Sequence, residues 1–215
     1  MMAVTHELKT PIAIAKLNLE TLQKHQLDEA KKQKLLQMTL QETNRLNSLA
    51  SNILISAQLE SGKSSVREEL NFSDLVKSSV NDFVNRFPER TWNIAITEEL
   101  EIKGDQLLLQ ILVNNLIENA IKYSPAGSAI GCILEEGERI YILKISDEGP
   151  GIPAEEKKKV FRKFYRIGSE QTRSAKGTGL GLYLCKKIAD DHNASISIED
   201  NKPSGAIFIV EFDAQ

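Results

Sequence analysis

Residues 4–11 read Val-Thr-His-Glu-Leu-Lys-Thr-Pro, and they open the helical pattern from which the rest of the chain follows. Positions i and i+4 lie on one face of an α-helix, so His6 and Thr10 point the same way. Pro11 lacks a backbone N–H and its ring clashes with the carbonyl of Glu7, which predicts a kink beside the histidine. The stretch therefore predicts a bent helix that carries an imidazole near its start.

The helix that contains this stretch continues over residues 4–24, with apolar side chains at steps of four and three. These side chains are Leu8, Ile12, Ala15, Leu19 and Leu22, a heptad seam. A turn at residues 25–28 follows, where Asp28 can cap a second helix that runs to about Glu60. The pattern predicts an antiparallel hairpin, whose uncovered apolar side favours a four-helix bundle made by a two-fold dimer. A monomeric hairpin packed on the next domain is the alternative.

A composition break at residues 61–65, Ser-Gly-Lys-Ser-Ser, predicts a linker before a second domain. The predicted helices beyond it cover residues 72–87, 106–123 and 182–191, and the predicted strands cover 92–96, 130–134, 140–145, 195–198 and 206–212. Ser73 and Asp105 are the expected N-caps of the first two of these helices. This order predicts an α/β layer with helices on one face of a mixed sheet. We therefore expect a hairpin domain over residues 1–62 and an α/β domain over 68–215.

The composition limits the class of protein. The chain has 215 residues, 41% hydrophobic and 27% charged, which suits one or two globular domains. Its formal net charge of −3 provides no general basic field for nucleic acid. Cys132 and Cys185 lie far apart with no ligand or disulfide pattern, which indicates buried thiols and a reducing compartment. No apolar run approaches the ~18 residues that cross a membrane, and the short stretch before His6 leads us to expect a fragment of a longer protein.

Residues 147–152 read Asp-Glu-Gly-Pro-Gly-Ile and follow a predicted strand. A carboxylate at a strand end can accept a hydrogen bond from an exocyclic amino group, such as that of adenine. Glycines at 149 and 151 let the backbone approach a flat ring closely. The alternative is an ordinary glycine-rich turn.

Residues 177–182 read Gly-Thr-Gly-Leu-Gly-Leu and lead directly into a predicted helix. Backbone N–H groups of a glycine loop and a helix N-terminus bind phosphate well, and Lys176 lies just upstream. No lysine follows the last glycine, as the Walker pattern requires, and the preceding strand of a Rossmann turn is missing. A purely structural turn is the alternative.

Asn115 and Asn119 are four residues apart on the predicted helix over 106–123, and Lys122 follows three residues later. Asparagine inside a helix is mildly unfavourable, so two stacked amides beside a lysine indicate ligands for metal and phosphate. An amide oxygen suits Mg²⁺, which keeps several waters and binds phosphate oxygens. A polar helix face is the alternative.

A fourth segment, residues 160–166, reads Val-Phe-Arg-Lys-Phe-Tyr-Arg. Phe161 and Phe164 can pin a short amphipathic turn to the core, because they are three residues apart. Arg162, Lys163 and Arg166 then face outward, where phosphate can lie. Without further context a charged surface turn explains this segment equally well.

Together these segments occur in the order Asn-rich helix, Asp/Gly turn, Phe/Arg turn and Gly loop. That order and spacing resemble the N, G1, F and G2 boxes of sensor histidine kinases, and residues 6–11 resemble the H box of the same family. The resemblance runs from residue 4 to about 213. It implies an ATP-binding domain of the gyrase/Hsp90/histidine-kinase/MutL (GHKL) type. It also implies a homodimer that passes a phosphoryl group to an aspartate of a response regulator receiver domain.

The resemblance assigns roles to individual residues. His6 is the expected phosphorylated residue, Asn119 the Mg²⁺ ligand and Asp147 the adenine-recognising group, and residues 153–176 form the expected lid. The expected ATP contacts are Asn115, Asn119, Lys122, Tyr123, Asp147, Gly149, Gly151, Ile152, Phe164, Tyr165, Arg166, Lys176, Gly177, Thr178, Gly179, Leu180, Gly181 and Leu182. Thr5 stands where serine is commoner, which should not change the chemistry. The family's usual transmembrane and sensor segments are missing, so we expect the cytoplasmic portion of a membrane-anchored sensor, with no membrane contact of its own.

The expected chemistry starts from a neutral imidazole at His6, and the reference pKa of a histidine side chain is ~6.5. Glu7 is the candidate base or orienting group, and it must reach sideways because adjacent helical side chains point about 100° apart. The Thr10 hydroxyl can orient a water molecule for attack on the phospho-aspartate of the response regulator, which predicts a reverse phosphatase activity. The alternative is that Thr10 only contributes to the helix kink. ATP-hydrolysing relatives carry glutamate in place of Asn115. An amide cannot take a proton, so we expect slow hydrolysis.

Three other functions stay open from the sequence. One is an ATP-binding docking or phosphatase-biased module, which the intact motif set opposes. Another is a GHKL mechanical ATPase such as a chaperone or topoisomerase domain, which the H box and Asn115 oppose. The third is a structural bundle, which is disfavoured because these glycines and asparagines weaken secondary structure without a packing benefit.

Overall fold

The computed structural model of the chain describes residues 2–61, 67–168 and 178–214, and within these ranges the side chains from Leu8 onward. The chain divides into two compact units, Met1–Gln58 and Leu59–Gln215. Most of the predicted linker lies outside the described residues. Among the helices of the described part, none combines the length and apolarity needed to cross a membrane.

The first unit is the predicted helical hairpin. Helix α1 covers Met2–Lys24 and helix α2 covers Glu29–Glu60, which ends just inside the second unit. Pro11 lies inside α1, so it does not end the helix, as expected. Asp28 Oδ1 accepts the backbone N–H of Lys31 at 2.8 Å, which confirms the predicted cap of α2.

The buried side of α1 differs from the predicted seam. Pro11 and Asn18 are buried, whereas Ile12 is 53% exposed and Leu19 is 52% exposed, so these two predicted seam positions are not covered within the single chain. The observed seam keeps the heptad spacing but runs through positions 8, 11, 15, 18 and 22. A proline and an asparagine occupy two of its steps, and for that reason the apolar pattern alone misplaced it.

The second unit is an α/β domain. Its elements are β1 (Glu68–Asn71), α3 (Phe72–Arg86), β2 (Thr91–Ile96), β3 (Glu101–Gly104), α4 (Gln106–Tyr123), β4 (Ala129–Glu136), β5 (Ile140–Asp147), α5 (Gly181–Asp191), β6 (Ser195–Asp200) and β7 (Ala206–Asp213). Five strands form a sheet in the order β2-β4-β5-β7-β6, in which β2 and β4 are parallel and the other neighbours antiparallel. The mixed sheet is thus confirmed. The small antiparallel pair β1–β3 was missed by the sequence prediction.

Capping residues fix where the helices of this domain begin. Asp105 Oδ1 accepts the Leu108 N–H at 3.1 Å and caps α4, as predicted. The predicted cap of α3 was wrong: Asn71 Oδ1 accepts the Asp74 N–H at 3.0 Å instead. Ser73 is buried, and its hydroxyl donates to the Thr97 carbonyl at 2.6 Å.

One face of the sheet is packed against the helices. Alternate residues of β5 are buried, which identifies this inner face. The fully buried core includes Val76, Leu109, Leu112, Leu116, Ile130, Leu143, Ile145, Leu184, Ile188 and Val210. Cys132 and Cys185 lie in the same core, which confirms the expected buried thiols, and burial raises the pKa of Cys132 to about 12. This packing holds α4 and α5 side by side on the sheet.

Candidate active site

Two asparagines of α4 lie directly against the start of α5. The Asn115 Nδ2 donates to the Ile111 carbonyl at 2.9 Å, and both Asn115 and Asn119 are half-buried. A Cβ placed on Gly181 would lie 2.9 Å from Asn115 Oδ1 and 3.9 Å from Asn119 Nδ2. The absence of a side chain at Gly181 therefore lets α5 begin beside the two amides.

The beginning of α5 offers backbone donors. Leu180 occupies the N-cap position, but its side chain makes no capping hydrogen bond. Because this side chain is fully buried, any contact of Leu180 with a ligand would come from its backbone. Thr178 Oγ1 accepts the Leu180 N–H at 3.2 Å. Gly181 and Leu182 are half-buried in the first turn. First-turn N–H groups without a capping side chain can bind an anion.

Asp147 is a buried carboxylate at the end of β5. Only 4% of the residue is exposed, and its Oδ1 accepts the Gly149 N–H at 2.7 Å. Burial raises the pKa of Asp147, while hydrogen bonds from the backbone N–H groups of Gly149 and Ala206 oppose that rise. The result is a fixed acceptor at the rim of the sheet, of the kind that an exocyclic amino group requires.

The turn after Asp147 touches the end of α4. A Cβ on Gly149 would lie 2.7 Å from the Tyr123 carbonyl oxygen, so only glycine fits there. Lys122 Nζ lies 3.2 Å from the Tyr123 hydroxyl and 4.7 Å from the centroid of its ring. The adjacent Ile152 is half-buried. The structure thus brings the predicted Asp/Gly turn and the C-terminal part of the Asn-rich helix together.

The Phe/Arg segment is joined to the glycine loop. The Phe164 N–H donates to the Gly179 carbonyl at 2.9 Å, and Gly179 has φ +69°. A Cβ on Gly179 would lie 2.7 Å from the Phe164 carbonyl carbon. The Tyr165 hydroxyl donates to the Glu156 carboxylate, and Arg166 is half-buried. These contacts hold the two segments together at one point of the domain.

For several other predicted site residues, the structure describes only the backbone or does not describe the residue. His6 and Glu7 lie in α1, and their side chains are outside the described part of the structure. Thr10 is exposed on the same helix. Lys176 and Gly177 lie outside the described residues, as does the end of the predicted lid.

Residues of the β6–β7 hairpin also reach this site, and sequence reasoning missed them. Asn201 Nδ2 donates to the Asp147 carbonyl at 2.8 Å, and Gly205 lies against the same carbonyl. A Cβ on Gly151, where φ is +72°, would lie 3.0 Å from the Gly205 carbonyl oxygen. The sequence places this segment only between the predicted strands 195–198 and 206–212, because nothing local indicates which strand end it meets.

The donor set suits a magnesium ion that shares its ligands with phosphate. Within the described ranges, no three His, Cys, Asp or Glu side chains are grouped to hold a metal. The half-buried Asn119 side chain lies beside the start of α5, where first-turn N–H groups can bind an anion, and its amide carries a neutral oxygen. Mg²⁺ commonly binds with few protein ligands and several phosphate or water oxygens, so these residues fit it.

Comparison with known families agrees with this geometry. Residues 104–215 match the family described as "Histidine kinase-, DNA gyrase B-, and HSP90-like ATPase", and residues 1–62 match "His Kinase A (phospho-acceptor) domain". The α/β domain is therefore an ATPase domain of the class shared by histidine kinases, gyrase B and Hsp90. With the phosphoacceptor hairpin before it, the chain belongs to the sensor histidine kinase family of two-component systems, as the resemblance implied.

Individual relatives support the same family. Sensor protein CiaH of Streptococcus pneumoniae is 33% identical over 98% of this chain and 48% of its own length. Sensor protein SrrB of Staphylococcus aureus is 32% identical over 97% of this chain and 36% of its own length. The chain thus spans about half or less of the curated relatives it matches.

Solved structures share the fold. Histidine kinase AdeS of Acinetobacter baumannii has a TM-score of 0.75 and 26% identity, with 98% of each chain covered. The mycobacterial sensor histidine kinase MprB has a TM-score of 0.62 and 27% identity, covering 70% of this chain and 99% of its own. The predicted hairpin followed by a GHKL-type domain is confirmed.

Proposed function

We propose that this chain is an ATP-dependent protein histidine kinase that phosphorylates itself on His6 and passes the phosphoryl group to an aspartate of a response regulator. The observation that carries the proposal is the convergence of three segments in one domain. Gly181 lies against Asn115 and Asn119, and Gly149 lies against the end of α4 beside Asp147. Amide, carboxylate and backbone N–H groups then face the parts of one nucleotide.

In this proposal each group of residues binds one part of ATP. The Asp147 carboxylate accepts the 6-amino group of adenine, and Gly149, Gly151 and Ile152 let the turn lie along the ring. The first turn of α5 donates N–H groups to the phosphates. The remaining expected contacts are Lys122, Tyr123, Phe164, Tyr165, Arg166, Lys176, Gly177, Thr178, Gly179, Leu180 and Leu182.

Asn119 is the proposed ligand of Mg²⁺. Bound there, the ion would neutralise part of the negative charge on the phosphates. Asn115 occupies the position where a base would activate water, but its amide cannot take a proton. Its Nδ2 is also engaged by the Ile111 carbonyl. The domain therefore holds ATP with little hydrolysis, so that the phosphoryl group remains available for His6.

In the transfer step a nitrogen of the neutral His6 ring attacks the γ-phosphorus. A P–N bond forms, the bond from that phosphorus to the β,γ-bridging oxygen breaks, and ADP leaves with the electron pair. Glu7 is the proposed acceptor or orienting partner of the ring proton. Thr10, exposed one helical turn from His6, is proposed to orient water in the reverse, phosphatase reaction.

A homodimer through the hairpin is the proposed assembly, with residues 1–62 as its dimerisation and phosphoacceptor domain and 68–215 as the ATP-binding domain. Large apolar side chains remain exposed along both helices of the single chain: Ile12, Leu17, Leu19, Leu36, Met38, Leu40 and Leu54. Such a surface favours association of two copies. Since relatives of this chain are sensor proteins, we also propose that it acts as the cytoplasmic signalling portion of a sensor.

Incubation with γ-labelled ATP and Mg²⁺ tests the proposal. We expect label on the protein that is lost in acid and survives alkali, as phosphohistidine does, followed by transfer to a receiver domain. An absence of protein-bound label together with steady release of phosphate would contradict the proposal and favour a mechanical ATPase.

A further inference from the structure

The side chain of Asn201 connects the β6–β7 hairpin to the end of β5. Its Nδ2 donates to the backbone carbonyl of Asp147 at 2.8 Å, although 54 residues separate the two in sequence. Its Oδ1 accepts the Lys202 backbone N–H at 2.9 Å. Both ends of this amide are therefore engaged, one within the hairpin and one across to the neighbouring strand.

Only a glycine at position 205 permits this junction. Gly205 has φ +118°, and a Cβ there would lie 1.8 Å from the Asp147 carbonyl oxygen. The Asn201 N–H donates to the Gly205 carbonyl at 3.1 Å, which closes the hairpin at the same point. The missing side chain lets the carbonyl of Asp147 enter between the two residues and reach the Asn201 amide.

The carboxylate of Asp147 is held separately from its backbone. The Gly149 N–H donates to its Oδ1 at 2.7 Å. Asp147 is thus fixed at its backbone by Asn201 and at its side chain by Gly149. Recognition of an amino group by one carboxylate oxygen needs such fixing, because a misplacement of about 0.5 Å weakens a hydrogen bond markedly.

The two hydrogen bonds of Asn201 have separable purposes. The Asn201 backbone N–H closes the hairpin on the Gly205 carbonyl, and the Oδ1 contact with Lys202 lies within the same turn. The Nδ2 contact adds nothing to that turn, because it leaves the hairpin and ends on the residue that carries the candidate adenine acceptor. A purely structural role, in which the amide only satisfies the Asp147 carbonyl at the end of the β5–β7 pairing, predicts no effect on the choice of nucleobase.

We propose that Asn201 is a positioning residue for adenine recognition, which fixes the backbone of Asp147 so that its carboxylate meets the 6-amino group of ATP. The inference rests on the proposed role of Asp147 in the proposed function. It adds the β6–β7 hairpin to the groups that determine which nucleobase is bound.

Asn201→Asp separates the two contacts, since it keeps the acceptor for Lys202 and removes the donor to Asp147. Asn201→Ala is the second variant, and Ser204→Ala, at an exposed residue of the same hairpin, is the matched control. Calorimetry on the full chain with Mg²⁺ compares ATP with purine riboside 5′-triphosphate, which lacks the 6-amino group. Thermal unfolding without nucleotide verifies that each variant is folded.

We expect the wild type to prefer ATP, and both Asn201 variants to lower that preference roughly fivefold, as loss of one hydrogen bond implies. Affinity for the purine riboside nucleotide and all values for Ser204→Ala should stay unchanged. Two results would overturn the positioning role and leave the proposed function standing. In the first, the Asn201 variants lower the affinity for both nucleotides equally. In the second, they keep the wild-type preference for ATP while Asp147→Asn loses it. If the wild type shows no preference, the adenine role of Asp147 fails as well.

Discussion

The Nε2 atom of His192 accepts the backbone N–H of Asp105 at 3.0 Å, which joins the end of α5 to the start of α4. Its Nδ1 lies 2.8 Å from the Ile188 carbonyl, so the proton of the neutral ring resides on Nδ1. The side chain is only 2% exposed. Because α4 and α5 both carry candidate site residues, this imidazole helps to set the distance between them.

Acid should therefore destabilise the α/β domain through His192. Burial lowers the pKa of His192; Arg67 adds to that effect, while the Ile188 carbonyl, Asp191 and Asp105 oppose it. The native state then binds fewer protons than the unfolded chain, so stability is present above about pH 6.5 and is lost as the pH falls below it. Denaturant unfolding at several pH values between about 7.5 and 5.5 measures this loss.

His192→Gln should remove that part of the pH dependence, whereas His25→Gln, at an exposed histidine, should keep it. The same pH dependence in the wild type and in His192→Gln would contradict the assignment.

Arg90 should stabilise the C-terminal end of α4. Its guanidinium donates to the Ile121 carbonyl and the Ser124 hydroxyl at 2.8 Å each, and to the Pro125 carbonyl at 3.1 Å. Arg90→Met should lower the free energy of unfolding by about 2 kcal/mol, because several acceptors lose a charged donor. Arg90→Lys should recover little of this free energy of unfolding, since one ammonium group cannot reach all of these acceptors. Denaturant unfolding measures the loss, and a loss below roughly 0.5 kcal/mol for Arg90→Met would count against this role of Arg90.

Asn115→Glu should raise the background hydrolysis of ATP. A carboxylate beside the start of α5 can act as a base toward water, and a positioned base commonly contributes at least about 100-fold. Asn115→Gln is the control, because it changes the length of the side chain without adding a base. Phosphate release in the absence of a response regulator measures the effect, and equal rates in the glutamate variant and the wild type would argue against the mapping of Asn115.

Asn119→Ala should abolish the effect of Mg²⁺ on ATP binding. The proposed site has one protein oxygen, so removing the amide leaves the ion with phosphate and water alone. ATP affinity is measured with Mg²⁺ and with a chelator in place of it. Asn119→Asp, which keeps an oxygen ligand, should retain a Mg²⁺ dependence. Persistence of the full dependence in Asn119→Ala would place the ion elsewhere.

Features determined by local spacing were predictable from the sequence. Asp105 at the start of an apolar helix, and Asn115 and Asn119 four residues apart, need no knowledge of distant contacts, and the structure has the cap and both amides as expected. Gly181 belongs to the glycine segment 177–182 that the sequence singled out. The structure explains why this position is glycine: α5 begins there and lies close to the two amides.

Features that depend on pairing between distant strands were not predictable. The contact of Asn201 with Asp147 follows from the register in which Ser146 pairs with Ile207, and no local pattern fixes that register. The β1–β3 pair was missed because its strands have four residues each and lie on either side of α3 and β2. The seam of α1 was misplaced because Pro11 and Asn18 lie in it.

The most direct measurement is the site of phosphorylation after incubation with ATP and Mg²⁺. The chain has three histidines, so His6→Gln can be compared with His25→Gln at an exposed position of the same hairpin. We expect His6→Gln to bind ATP with the wild-type affinity and to carry no label, and His25→Gln to be labelled as the wild type is. Acid-labile label that persists in His6→Gln, or that maps to another residue, would contradict the assignment of His6 as the phosphoryl acceptor.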